Sequence, residues 1–144
     1  MPRAGRPRLD GHRALLVGPV PRQRALIVID HGSRLDAANA LVAAVAARVR
    51  ERRPGDIVVH AHMELASPSL EEAVATCRAQ GAQEIVVVPY FLGPGRHTGE
   101  TIPSQVAALV ARYPDLELRI AEPLGADDRL VDVLLERAGA AENN

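Results

Sequence analysis

His12, His31, His60, His62 and His97 are the five side chains of this 144-residue sequence best suited to binding a metal or moving a proton near neutral pH. Glu64 follows His62 by two positions, and imidazole with carboxylate is a donor set that suits divalent Co, Ni, Fe and Zn. Arg34 and Arg96 each lie close to a histidine, and their guanidinium forks suit carboxylates on a ligand. His60 falls inside an apolar segment and reads as a covered structural residue, and His12 belongs to an arginine-rich arm and reads as incidental. The single cysteine, Cys77, excludes an internal disulfide and a four-cysteine iron–sulfur or zinc site within one chain. The absence of lysine removes Schiff-base chemistry on an enzyme amine and any phosphate-loop lysine.

A regular alternation of elements must position these groups. Ala25 to Asp30 is a β-branched apolar run, which predicts a buried strand, and Gly32 permits the tight turn that leaves His31 at its lip. Asp36 is placed to cap a helix over about Ala37–Arg53, which ends at Pro54-Gly55. A second strand at 57–62 leads into Glu64–Ser69, with Ser67 expected as N-cap and Pro68 as first helical residue of a helix stopping near Gly81. The third strand, Glu84–Tyr90, opens into Phe91-Leu92-Gly93-Pro94-Gly95-Arg96-His97. A helix from Ile102 or Pro103 to Tyr113, a strand over Leu116–Ala121 and a helix over about Asp127–Ala138 complete the pattern.

Strand and helix repeated four times with short connections predict an α/β fold, a four-stranded parallel sheet flanked by helices on both faces. All strand-to-helix turns then share one edge, where open α/β sheets place their ligands. That edge collects His31, His62, Glu64, Arg96, His97 and Glu122.

Composition bounds the rest. One domain is expected over 25–138, with residues 139–144 frayed; residues 1–24, with six arginines against Asp10, read as a flexible extension. A net charge of −1 and only three aromatics, Tyr90, Phe91 and Tyr113, argue against a nucleic-acid partner. No 18-residue apolar run is present and no membrane span is expected, so the cytoplasm is the default compartment.

Ile29-Asp30-His31-Gly32-Ser33-Arg34, Glu64-Leu65-Ala66-Ser67-Pro68-Ser69-Leu70-Glu71-Glu72-Ala73, Val86 through His97, and Ile102-Pro103 together resemble the sirohydrochlorin chelatases. The resemblance covers about residues 25–138 and is closest to the small single-domain form of the cobalt- and iron-inserting enzymes. It implies a chelatase-like, flavodoxin-like three-layer sandwich that works as a homodimer with the tetrapyrrole between subunits. The implied reaction is insertion of a divalent metal (Co²⁺ or Fe²⁺, with Ni²⁺ a further candidate) into sirohydrochlorin for cobalamin or siroheme formation. The metal is a substrate, and no cofactor is permanently bound.

By motif matching, His31 and His97 correspond to the histidines that bind the incoming metal and accept pyrrole protons, and Glu64 to an acidic residue assisting them. Ser33, Arg34, Arg96 and Phe91 become substrate contacts, and His62, where relatives usually place an aromatic, becomes a further metal-ligand candidate. Gly93 and Thr98-Gly99 also depart from the usual pattern. A non-catalytic metal or tetrapyrrole carrier on the same rim is the alternative. A histidine phosphatase ranks last, because Asp30 stands where that chemistry places an arginine.

Overall fold

The computed structural model describes residues 18–93, 95 and 98–143. Its elements are β1 (Arg24–Asp30), α1 (Asp36–Arg52), β2 (Ile57–His62), α2 (Leu70–Ala79), β3 (Glu84–Pro89), α3 (Thr98–Arg112), β4 (Glu117–Ile120) and α4 (Asp128–Glu142). The four strands are all parallel in the order β2-β1-β3-β4. The expected α/β architecture is therefore the observed one. β1 sits inside the sheet with Ile27 and Ile29 fully buried, which is why its run is apolar without interruption.

The sheet buries a different set on each face. Val28 and Val58 meet Val42 and Ala46 of α1 on one side. On the other, Ile27, Ile29, Ile85 and Val87 meet Val74 and Cys77 of α2 and Ile102, Val106 and Leu109 of α3. Each fully buried Ile or Val contributes roughly 1.5–3 kcal/mol before entropy is counted. Burial pushes the Cys77 thiol up to about 11, so it is a small core hydrophobe and not a nucleophile. α4 keeps no residue buried.

Parallel register aligns the strand ends: Asp30 is opposite His62, and Ile29 is opposite both Ala61 and Pro89. The turns after β1, β2 and β3 consequently start at one level of one edge.

Several helix ends differ from expectation. Leu35, in extended geometry, is the N-cap of α1, and Asp36 is its first helical residue; an Asn39 clamp on Ser33 closes that turn in place of a side-chain cap. Ser69, not Ser67, caps α2, because Pro68 and Ser69 pair alongside the last residue of β2: the His62 N–H is donated to the Pro68 carbonyl at 2.8 Å, and Ser69 bridges to His62. α3 begins at Thr98 and carries Pro103 inside it, with the Gly99 N–H donated to the Gly95 carbonyl at 3.1 Å. The proline removes one intrahelical bond and leaves the helix continuous. α4 continues past Ala138 to Glu142, since Ala138, Ala140 and Ala141 favour helix more than one glycine opposes it.

Candidate active site

His31 follows β1 directly and is exposed, as expected of a residue at the strand's lip. Its ring leans on Phe91, with centroids 5.0 Å apart and planes tilted by 41°. Phe91 in turn packs on the α2–α3 side of the core, so the imidazole has an apolar wall behind it and solvent before it.

The backbone joins this turn to the one after β2. Met63 N–H donates to the Asp30 carbonyl at 2.9 Å, and Glu64 N–H to the His31 carbonyl at 3.2 Å, which extends the β1–β2 ladder past both strands. Gly32 makes the approach possible: its φ is +83°, and a Cβ there would lie 1.8 Å from the Glu64 carbonyl oxygen. Leu65 has φ +65°, and the Ala66 N–H closes on the Glu64 carbonyl at 2.9 Å. A leucine in that region is strained by about 1–3 kcal/mol, a cost that tends to be retained at functional turns. The exposed Glu64 carboxylate is thus delivered beside the His31 turn by two sharp backbone turns.

Ser33 is clamped by Asn39 of α1: its N–H donates to Asn39 Oδ1 at 2.9 Å and its carbonyl accepts from Asn39 Nδ2 at 2.7 Å. The Ser33 hydroxyl accepts the Leu35 N–H at 3.0 Å, and Arg34 beside it is exposed. Asn39 was not among the sequence candidates; its one signal was a poor helix former within the first turn of an alanine-rich helix.

His62 is placed differently from a rim ligand. It is 1% exposed, and its Nδ1 lies 2.6 Å from Asp30 Oδ1, an oxygen that also accepts the Gly32 N–H at 2.9 Å. His60 meets the His62 ring edge-on at 5.6 Å, and its pKa is lowered by burial and by His62, with Arg50 adding and Asp30 opposing. Arg96 and His97 lie outside the described residues. The structure therefore brings His31, Ser33, Arg34, Glu64 and Phe91 to one edge. Among the described residues no three His, Cys, Asp or Glu side chains cluster as a metal site.

Beside Phe91 an apolar cavity of about 170 Å³ is bounded by Pro89, Ile102, Pro103, Ile120 and Pro123. The loop after β4 is fixed to this edge by Leu124 N–H on the Phe91 carbonyl at 3.1 Å and Gly125 N–H on the Leu92 carbonyl at 2.7 Å. An exposed imidazole, a carboxylate and an apolar wall can bind a soft-to-borderline metal ion, accept protons and lie against a flat hydrophobic ring.

The sequence profile of the CbiX family matches residues 25–141. The chain belongs to the CbiX family of sirohydrochlorin chelatases. Among CbiX relatives, the chain is 36% identical over 135 residues to a chloroplastic sirohydrochlorin ferrochelatase of Arabidopsis thaliana, covering 94% of this chain and 60% of that protein. It is 33% identical to a sirohydrochlorin cobaltochelatase of Methanocaldococcus jannaschii, covering 79% of this chain and 96% of the relative. The crystal structure of the sirohydrochlorin chelatase SirB from Bacillus subtilis subspecies spizizenii in complex with cobalt superposes with a TM-score of 0.73 at 28% identity, over 82% of this chain and 50% of SirB. The chain thus spans 50–60% of two of these relatives and 96% of the third.

Proposed function

We propose that this chain inserts a divalent metal ion, Co²⁺ or Fe²⁺ with Ni²⁺ a further candidate, into sirohydrochlorin. The observation that carries the proposal is His31: an exposed imidazole held by a rigid turn at the carboxyl edge of a CbiX-family sheet. Metal entry exchanges two pyrrole N–H protons for one M²⁺, so the protein must receive two protons as the macrocycle nitrogens close on the ion. A neutral imidazole offers one lone pair, which can ligate the arriving ion and, once that ion has passed to the ring, take a proton. His31 and His97 fill these roles, with the exposed Glu64 carboxylate as the second-line proton acceptor. No step involves electron transfer or a resident cofactor, and the metal is consumed as substrate.

Arg34, Arg96 and Ser33 are assigned to the substrate's carboxylates, and Phe91 with its neighbouring cavity to the macrocycle's apolar face. The working form proposed is a cytoplasmic homodimer. Its support is the apolar side of α4, where Val131, Leu134 and Leu135 at i, i+3 and i+4 are 46–68% exposed, and the match of this chain to half of SirB, which leaves room for a second copy in place of the other half. Among the described residues no helix is long and apolar enough to cross a membrane.

The test is an anaerobic spectroscopic assay of sirohydrochlorin with Co²⁺, Fe²⁺ and Ni²⁺. His31→Ala and His97→Ala are each expected to lower the insertion rate by about 10²–10⁴-fold. Tight binding of metal or tetrapyrrole with no acceleration over the protein-free mixture would instead make the protein a carrier.

A further inference from the structure

Among the described residues His62 is the buried polar side chain of the core, and a buried imidazole is tolerated only when its polar atoms are satisfied. Its partner is Asp30, the residue immediately before the candidate catalytic histidine. Asp30 Oδ1 receives two donors, the Gly32 N–H at 2.9 Å and, with the carboxyl ionised, the His62 Nδ1–H at 2.6 Å. An imidazole N–H donating to a carboxylate makes a charge-assisted bond, about twice as strong as a neutral one.

We propose that Asp30 and His62 form a positioning pair that sets the direction of the His31 imidazole, an inference that rests on the chelatase reading of the site. The peptide unit joining His31 to Gly32 carries the N–H held by Asp30, and its carbonyl, that of His31, accepts the Glu64 N–H at 3.2 Å. Both ends of that one peptide are therefore fixed, which fixes ψ of His31 and with it the cone from which the imidazole projects. His62 acts one step further back. By clamping the Asp30 carboxylate it stops that oxygen from turning towards solvent, to which Asp30 is 19% exposed. His62 is itself held by its N–H on the Pro68 carbonyl at 2.8 Å and by the edge of His60 at 5.6 Å.

Ligation by His62 fits this placement poorly. Asp30 and His62 continue the strand face of Val28 and Val58, which is packed against α1, whereas His31 leans on Phe91 of the opposite core. The two imidazoles lie on opposite sides of the sheet, with the His62 ring enclosed.

The test compares two variants of equal polarity. His62→Asn puts an amide N–H on the atom that Nδ1 occupies and keeps the bond to Asp30; His62→Gln puts its amide at the Nε2 position and loses that bond. With His62→Gln, kcat for metal insertion is expected to fall about 10–100-fold, the range typical of residues that orient a working ligand, with KM for metal and tetrapyrrole within about threefold. His62→Asn is expected to recover most of that loss. Hydrogen exchange of the Gly32 amide, followed by NMR, should accelerate in His62→Gln and return towards the wild-type rate in His62→Asn. Co²⁺ affinity, read from visible absorption without tetrapyrrole, should be the same in all three proteins.

Equal damage by both variants would overturn the pair, and loss of Co²⁺ affinity in both would overturn it and make His62 a ligand. Asp30→Asn, similar in volume and still an acceptor for Gly32, covers the case in which the buried glutamine does not fold. It is expected to speed Gly32 exchange and lower kcat in part, and no change in either would also overturn the proposal. If the wild-type protein fails to insert any metal, the chelatase reading falls, while the Gly32 exchange contrast still decides whether the pair exists.

Discussion

Gly32 determines whether His31 and Glu64 can share a site at all. Its backbone has φ +83°, and the Glu64 carbonyl occupies the place where a Cβ would stand, 1.8 Å away. Gly32→Ala is expected to destabilise the protein by at least about 2 kcal/mol in urea unfolding, from strained φ and a displaced Glu64 turn together. The loss of insertion rate should exceed that of the folded fraction, since the surviving fold would carry a displaced Glu64. The importance of His31 was legible because a polar residue after an apolar strand has few structural reasons to be there. Asp30 and Asn39 were not legible as turn clamps: whether a carboxylate or an amide faces solvent or a backbone N–H depends on what the next strand and helix bring to it, and those lie 32 and 6 positions away for His62 and Ser33 respectively.

At the level of elements, α2 carries the best-defined start. Ser69 Oγ accepts the Glu72 N–H at 3.1 Å, and Glu72 Oε2 accepts from the Ser69 N–H at 2.7 Å and from the Ser67 hydroxyl at 2.7 Å. Ser69→Ala should cost about 1 kcal/mol, measured by thermal or urea unfolding near neutral pH. The Ser67 hydroxyl and then the Ser69 N–H hold the Glu72 carboxyl below its usual range. A depressed carboxyl stabilises the fold above its unfolded pKa and ceases to do so as pH falls through the lowered folded value. Ser67→Ala removes the first of these donors, so acidification below about pH 4 should shrink the difference between wild type and Ser67→Ala, and a constant difference would show that Glu72 plays no part. The sequence showed a serine–proline–serine start with glutamate near it, yet placed the cap two residues early. The choice between Ser67 and Ser69 depends on where the returning chain pairs beside His62, which is a matter of contact between segments and not of local preference.

For the whole molecule, α4 is the element the monomer does not absorb. Val131, Leu134 and Leu135 share one side of a helix with no buried residue, and covering them against a second copy would contribute roughly 5 kcal/mol per helix. Leu134→Glu combined with Leu135→Glu is expected to leave the fold intact and shift the protein to monomer in sedimentation velocity at micromolar concentration. A wild-type protein that already sediments as a monomer would place the dimer, and the role given to α4, in error.

The amino-acid sequence by itself determined the alternation of strands and helices, the parallel sheet, and the edge at which His31, Glu64 and Phe91 gather, because hydrophobic period and turn chemistry are local properties written into neighbouring residues. Only the tertiary structure decided that His62 turns into the core to hold Asp30, that Gly32 is where the two turns touch, and that no residue of α4 is buried among the described residues. Each of these depends on register and packing between segments far apart in sequence, where a one-residue shift would send every side chain to the other face.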